Sequence, residues 1–343
     1  MASMLFTGCQ TTLLHLGRYQ AWRTASLIRV SEIRVDPLSG LRAIVAPERD
    51  GRSEDPRDPF AEGNEELTPP EVFAIRPQAS PPDTPGWLVR AFPNRFPALR
   101  PDTADPERDG RPDLFTAVAG AGAHEVIVSS PKPVTALAEL DAGEVALAVD
   151  VWRERMRAHA GAAALHLFVN EGRGGGASRA HTHAQLLALE FVPALLARER
   201  ERFGAYANRT MGQQLLDDLV SEEVRRGERV VAIDPDAVLL APYAATAPYQ
   251  LMLVPRRPRP RFEDDGPTGA ALLHDGLRRL ERRFGESPPL NLWIRTAPRG
   301  AEQFCWRIDI VPRLAAVAGL ELGTGVHLNS VAPERAAQEL RET

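Results

Sequence analysis

Asn170-Glu171-Gly172-Arg173-Gly174-Gly175-Gly176-Ala177-Ser178-Arg179-Ala180-His181-Thr182-His183-Ala184-Gln185 lies between two apolar runs, His166-Leu167-Phe168-Val169 and Leu186-Leu187-Ala188-Leu189. Short apolar runs bounded by glycine predict buried strands, so the segment reads as strand, Gly-rich turn, strand. The three consecutive glycines let backbone N–H groups approach a ligand with no Cβ in the way, and such loops form anion-binding nests. Ser178 adds a hydroxyl donor. The loop is not a P-loop, since the Gly-x-x-x-x-Gly-Lys-Ser/Thr pattern is missing and no lysine is near. His181, His183 and Gln185 fall at i, i+2 and i+4, which on a strand puts all three on one face. Imidazole titrates near neutrality and serves as nucleophile, general acid or base, or metal ligand. A fixed glutamine amide can donate to a phosphoryl oxygen. Such groups are costly to bury without partners, so the face predicts a reaction site rather than a solvated strand.

Outward from this stretch the chain uses one plan twice. His124–Val128 is a strand. Asp141 and Glu144 form a capping box, opening a helix with its apolar stripe at Val145, Ala148, Val149, Trp152 and Met156. The strands at 166–169 and 183–191 follow. In the second half Tyr249–Pro255 reads as a strand, Leu272–Phe284 as a helix, and Asn291–Ile294 and Trp306–Ile310 as strands. Strand–helix–strand–strand thus recurs after about 125 residues, as a pseudo-repeat of a mixed alpha/beta unit. Ser31 to Arg52 reads as strand, turn, strand. Residues 50–85 and 101–112, rich in Pro, Asp and Gly, read as loop. Residues 194–226 read as highly charged helix and 332–341 as a short helix. Residues 1–27 are expected to be a flexible extension, with 28–200 and 201–343 as the two units.

At 343 residues the chain has room for about two domains. Its net charge of −5 argues against a nucleic-acid partner. Two cysteines, Cys9 and Cys305, exclude a disulfide framework and a four-cysteine zinc site. No apolar run reaches membrane-spanning length and no signal peptide is evident, so a cytoplasmic location is expected. Of 41 basic residues only Lys132 is lysine, which reads mainly as coding-sequence base composition. Arg256-Arg257-Pro258-Arg259-Pro260-Arg261 reads as a solvated loop.

The His-x-His-x-Gln segment, following Asn-x-Gly and Gly-x-Ser, resembles the histidine-triad superfamily, and within it the galactose-1-phosphate uridylyltransferase family. The resemblance extends in order from Asp36-Pro37-Leu38-Ser39-Gly40 and Val45-Ala46-Pro47-Glu48-Arg49 through Pro59-Phe60-Ala61-Glu62-Gly63-Asn64-Glu65, Pro93-Asn94-Arg95-Phe96 and Gly122–Val128. It continues through Ala241-Pro242-Tyr243 to Gly319-Leu320-Glu321-Leu322-Gly323-Thr324-Gly325. It covers roughly residues 30–342. It implies an α+β fold, two histidine-triad-like alpha/beta units in pseudo-repeat with an extended antiparallel sheet.

The resemblance also implies ping-pong movement of UMP between a UDP-sugar and a hexose 1-phosphate. His183 would be the nucleophile and Gln185 would steady the phosphoryl oxygens. Asn170, Gly176 and Ser178 would line the phosphates, Arg49 and Arg52 would clamp them, and Asn94 would contact base or ribose. Glu321 would bind sugar hydroxyls from the partner subunit of a homodimer. His327 stands where a sugar contact is expected and reads equally as a surface histidine.

The chain departs from the family where a Cys-x-x-Cys pair binds zinc with two histidines. Asp58 and Ala61 stand in those places, with His124 and His181 retained. Any metal would fall to His124, His181 and Asp58, and loss of the zinc is expected. Cys305-Trp306-Arg307 replaces a His-x-His pair in the last strand, so only the first unit is expected to be catalytic. Two alternatives stay open: a nucleotide phosphorylase or adenylyltransferase using ADP-sugars or dinucleoside polyphosphates, and a non-catalytic nucleotide-sugar-binding protein.

Overall fold

The structure is a computed structural model that describes residues 31–47, 56–106 and 114–343. The expected extension at 1–27, Cys9, Arg49 and Arg52 lie outside the described residues. The first half runs β1 (Glu32–Val35), β2 (Arg42–Val45), β3 (Phe73–Ile75), β4 (Val89–Pro93), β5 (Ala117–Ala119), β6 (Gly122–Val128), α1 (Ala142–Ala158), β7 (Ala164–Glu171) and β8 (His183–Leu189). Two helices follow, α2 (Ala194–Arg209) and α3 (Leu215–Arg226). Then come β9 (Val230–Ile233), β10 (Ala237–Leu240), β11 (Leu251–Pro255), α4 (Ala270–Phe284), β12 (Leu290–Arg295), β13 (Arg307–Pro312), α5 (Gly319–Thr324) and α6 (Pro333–Arg341).

Among the described residues ten strands form one antiparallel sheet in the order β3-β4-β6-β8-β7-β12-β13-β11-β10-β9, and β2-β1-β5 form a small second sheet. Read inward from each border, the ten-stranded sheet repeats itself. Its first half is β3-β4-β6-β8-β7 and its second β9-β10-β11-β13-β12. The repeat read from the sequence is therefore present, and longer by a leading hairpin in each half. The halves join where β7 pairs with β12, from Leu290↔Glu171 to Trp293↔Phe168.

Residues 50–85 are not loop throughout, because β3 forms at Phe73–Ile75. Three residues among prolines carry little local signal, and pairing with β4 holds them in place. The helical stretch 194–226 is broken at 210–214 into α2 and α3. α1 matches expectation closely. Asp141 accepts the Glu144 N–H at 2.8 Å, and the Glu144 carboxylate accepts the Asp141 N–H at 3.0 Å, a cap of about 1 kcal/mol.

The five stripe residues of α1 are fully buried. They pack with α4 on one sheet face, over Ile127, Leu167, Val169, Ala184 and Leu186 and over Leu251, Leu253, Leu292, Ile308 and Ile310. Glu125 pins β6 to α1, accepting from Arg155 at 2.8 and 2.9 Å and pairing with His159 at 2.7 Å. Arg153, buried in α1, donates to the carbonyls of Thr268 (2.6 Å) and Phe262 (3.2 Å) and so ties the halves together.

On the opposite face, α2 and α3 cover the second half, with Leu196, Phe203, Leu216 and Val220 packed with Val238, Leu240, Met252 and Val254. Over the first half that face instead carries Val126 and Val128 beneath Phe60, Trp87 and Phe92. Alternation along β7 and β8 sends Asn170, Phe168, His183 and Gln185 to this side, because Val169, Leu167, Ala184 and Leu186 face α1. The motif side chains therefore stand at the foot of a cleft rather than under a helix.

Candidate active site

His183 opens β8, paired with Val128 of β6, and Gln185 follows between Val126 and Phe168. The strand begins only at His183, so the expected alternation includes His183 and Gln185 but not His181, which precedes it in the turn. Phe60 brings the two rings onto one side. Its ring lies 4.8 Å from His183 and 6.2 Å from His181. A cavity of about 480 Å³ opens above them, a volume suited to a small organic ligand. His183, Gln185, Asn170, Gly176, Ser178 and Asn94 all line it. Six of the expected site residues thus converge, although Asn94 comes from the segment after β4, some 90 residues before His183.

The hydrogen bonds define the chemistry of His183. Its Nδ1 lies 2.9 Å from the His181 carbonyl oxygen. A carbonyl only accepts, so Nδ1 carries the proton and Nε2 keeps its lone pair. Burial pushes the His183 pKa below the usual imidazole value. The charges of His181 and Arg179 act in the same direction, while the His181 carbonyl and Asp58 oppose them. The ring is therefore held neutral, in one tautomer.

Gln185 is oriented by His124. The Ala98 N–H donates to His124 Nδ1 at 3.0 Å, which leaves the proton on Nε2 to donate to Gln185 Oε1 at 3.0 Å. With its oxygen engaged, the Gln185 amide offers its N–H₂ as the remaining group. Asn94 accepts the Phe96 N–H at 2.9 Å, which fixes its side chain at the cleft edge.

The loop glycines do more than open space for a ligand. A Cβ on Gly175 would stand 2.5 Å from the Leu290 carbonyl oxygen, so Gly175 is required by packing against the second half. Gly176 adopts φ +80°, has open space around it and faces the cavity. Asn291, on β12, donates to Asn170 Oδ1 at 2.7 Å and to the Gly175 carbonyl at 2.6 Å. Its role was not foreseen, because only the β7–β12 register brings it there. Phe60, Phe92, Phe96, Phe168 and Arg57 line the cavity without having been assigned roles, and so do Arg95 and Arg179, which the sequence sets only near the expected phosphate path.

His124, His181 and Asp58 do not form a metal centre. Among the described residues no group of three or more His, Cys, Asp or Glu side chains could hold a metal ion. His181 Nδ1 lies 2.8 Å from Asp58 Oδ2 and its Nε2 lies 2.9 Å from the Ser130 carbonyl. Both ring nitrogens thus meet acceptors, which the doubly protonated ring satisfies in full and a ligating ring does not. Burial raises the Asp58 pKa, but the hydrogen bonds from His181 and the Phe60 N–H, with the nearby positive charge, together outweigh it and hold the carboxyl below its ordinary range.

The second half has no equivalent cleft chemistry. Cys305 is buried, and burial pushes its thiol up to about 11, so it packs as a small apolar group. Arg307 donates to Glu199 at 2.9 and 3.1 Å and pairs with Asp309 at 3.2 Å. Glu321 starts α5, where it accepts the Ala318 N–H at 3.0 Å, and it does not line the cavity. His327 is exposed. In the basic run, Arg261 pairs with Glu263 at 2.9 Å and Arg259 approaches Asp265 at 3.8 Å.

Comparison with known proteins identifies the family. A profile of the galactose-1-phosphate uridyl transferase N-terminal domain matches residues 21–193. ADP-glucose phosphorylase of Arabidopsis thaliana is 27% identical over 336 residues, 91% of this chain and 92% of that one. Galactose-1-phosphate uridylyltransferase of Rattus norvegicus is 28% identical over 268 residues, 73% of this chain and 70% of that one. Among solved structures, a uridylyltransferase superposes with a TM-score of 0.77 at 23% identity, over 91% of this chain and 97% of that one. The crystal structure of the Arabidopsis ADP-glucose phosphorylase with bound ADP-glucose superposes with a TM-score of 0.72 at 28% identity, over 91% and 99%.

Proposed function

Because this chain belongs to the galactose-1-phosphate uridylyltransferase family, we propose that it moves UMP between a UDP-sugar and a hexose 1-phosphate through a nucleotidyl-His183 intermediate. The protein is an enzyme of nucleotidyl transfer. The observation that carries the finer reading is the Nδ1–H bond from His183 to the His181 carbonyl, which leaves Nε2 as a neutral nucleophile. In the first displacement the Nε2 lone pair forms a bond to the α-phosphorus. The bond from that phosphorus to the bridging oxygen breaks, and the sugar 1-phosphate leaves with the electron pair. In the second, a phosphate oxygen of the incoming acceptor attacks, the N–P bond breaks and the lone pair returns to Nε2. Splitting the transfer this way is the advantage of covalent catalysis.

Gln185 donates its amide to the phosphoryl oxygens as charge develops there. Asn170, Gly176 and Ser178 line the phosphates, Arg49 and Arg52 clamp them, and Asn94 faces the base or ribose. The active form is a cytoplasmic homodimer in which Glu321 of one protomer reaches the hexose bound by the other. The exposed apolar side chains around α5, Leu314, Leu320, Leu322, Val326 and Leu328, offer a surface for that association.

A second reading is phosphorolysis of an ADP-sugar by the same intermediate, favoured by the likeness to ADP-glucose phosphorylase over nine-tenths of the chain. Mixing the protein separately with UDP-glucose and ADP-glucose and weighing it intact tests both. A gain of one nucleoside monophosphate, lost in His183→Ala, is expected, and its mass names the base. Tight binding with no mass gain would replace both readings with a non-catalytic one. Full turnover by His183→Ala would remove the histidine as nucleophile.

A further inference from the structure

Two separate structural lines lead from Asp58 to His183. The first passes through His181. Asp58 Oδ2 holds the His181 ring at 2.8 Å, the Ser130 carbonyl holds its far nitrogen at 2.9 Å, and the backbone oxygen of that same residue receives the His183 Nδ1–H. The second passes through Phe60. Asp58 Oδ1 accepts the Phe60 N–H at 3.0 Å, and the Phe60 ring packs 4.8 Å from His183 and 5.9 Å from Phe92. Asn64 closes this turn by donating to the Asp58 carbonyl at 2.8 Å.

We propose that Asp58 is a positioning residue for His183, its ion pair with His181 acting as a metal-free brace for the nucleophile. The proposal rests on the reading of His183 as nucleophile. One carboxylate sets both the carbonyl that selects the His183 tautomer and the aromatic ring that limits the imidazole's rotation. The pair is closed from the His181 side, where the side chain is 1% exposed, while Asp58 keeps 32% of its side chain open. Ala61 has no donor atom in its side chain, so the turn carries Asp58 as its single polar anchor toward His181. Each carboxylate oxygen of Asp58 meets one hydrogen-bond partner, Oδ2 the His181 ring and Oδ1 the Phe60 N–H, without a cation.

Asp58→Asn tests the brace. The amide oxygen can still cap Phe60, but the charge on the His181 side is lost. The rate of His183 nucleotidylation should fall on the order of 10- to 100-fold, the scale of a small misplacement of a reacting group. Affinity for the nucleotide sugar should be unchanged, and Asp58→Glu should recover part of the rate. Imidazole ¹⁵N spectra give a readout independent of turnover. The wild-type protein should hold His183 as the Nδ1–H tautomer, whereas Asp58→Asn should show both tautomers. Dialysis of the wild-type protein against a chelator should leave its nucleotidylation rate intact. A wild-type rate in Asp58→Asn with an unchanged tautomer would overturn the proposal. So would loss of activity on chelation that zinc restores. If the wild-type protein takes up no nucleotide, the nucleophile reading fails while the tautomer spectra still judge the brace.

Discussion

Asn291 of β12 and Asn170 of β7 stand opposite each other where the two halves of the sheet meet, and the Asn291 amide reaches both Asn170 Oδ1 (2.7 Å) and the Gly175 carbonyl (2.6 Å). A residue of the second half thereby holds the Gly-rich loop of the half that carries His183 and Gln185. Asn291→Ala leaves two acceptors without their donor. The expected loss is about 1–3 kcal/mol of stability, with nucleotidylation slowed roughly tenfold by the slackened loop. Urea unfolding and single-turnover rates on the same sample check this, and an unchanged rate would show the contact to be structural alone.

Two glycines of the loop should respond differently to the same substitution. Gly175→Ala drives a methyl group into the Leu290 carbonyl, a backbone atom that cannot move aside. The expected cost is about 1–3 kcal/mol. Gly176→Ala meets no neighbour and bears only the penalty of its left-handed backbone, about 1–2 kcal/mol. Thermal melting should rank Gly175→Ala as the less stable variant. Gly176→Ala should show the larger effect on substrate affinity, because Gly176 lines the cavity.

Glu171 makes stability fall as pH rises. It is buried, and burial raises its pKa from 4.5 to about 7 against hydrogen bonds from the Leu137 N–H and the Thr182 hydroxyl. Below about pH 4.5 the group is protonated in both folded and unfolded chains and has no effect. Between 4.5 and 7 only the folded protein retains the proton, and above 7 burying the charge carries its full cost. At about 1.4 kcal/mol per unit this amounts to up to about 3 kcal/mol. Glu171→Gln should match the wild type near pH 4 and exceed it in stability at pH 8. Parallel stability curves from pH 4 to 8 would sink this account.

The proposed nucleophile, His183, should tolerate mild acid better than a free imidazole. Because burial lowers the His183 pKa, the ring stays neutral to a lower pH than a free imidazole does. Nucleotidylation measured by rapid quench as the pH is lowered from neutrality should hold its rate past the midpoint of a free imidazole titration. A drop that follows an ordinary imidazole titration would show that the ring is more accessible than its 5% exposure indicates.

Much of this site was legible in sequence because its signals are local. The capping box at Asp141 and Glu144, the stripe from Val145 to Met156 and the spacing of His183 and Gln185 depend on neighbours within one or two turns. The doubled plan was legible because each half repeats the same pattern of apolar runs. Asn291 and Phe60 were not assigned roles for the opposite reason. Asn291 gains its role from a strand register across 121 residues, and Phe60 from a turn whose anchor, Asp58, meets its partner 123 residues later. The three glycines were read as clearance for a ligand, but Gly175 answers to the Leu290 backbone, which no local pattern announces. β3 lay hidden because three residues among prolines acquire strand character only from β4.

The order of the ten strands also bears on what the molecule avoids. Joining the halves through β7 and β12 encloses the long strands and leaves β3 and β9, three and four residues long, at the borders. Unpaired strand edges are templates for strand addition and aggregation. Here such a template is a few amides wide at either end, so runaway stacking of sheets finds almost nothing to copy. Any association between copies of the chain would then fall to side-chain surfaces, where sequence can dictate how many copies meet and in what orientation.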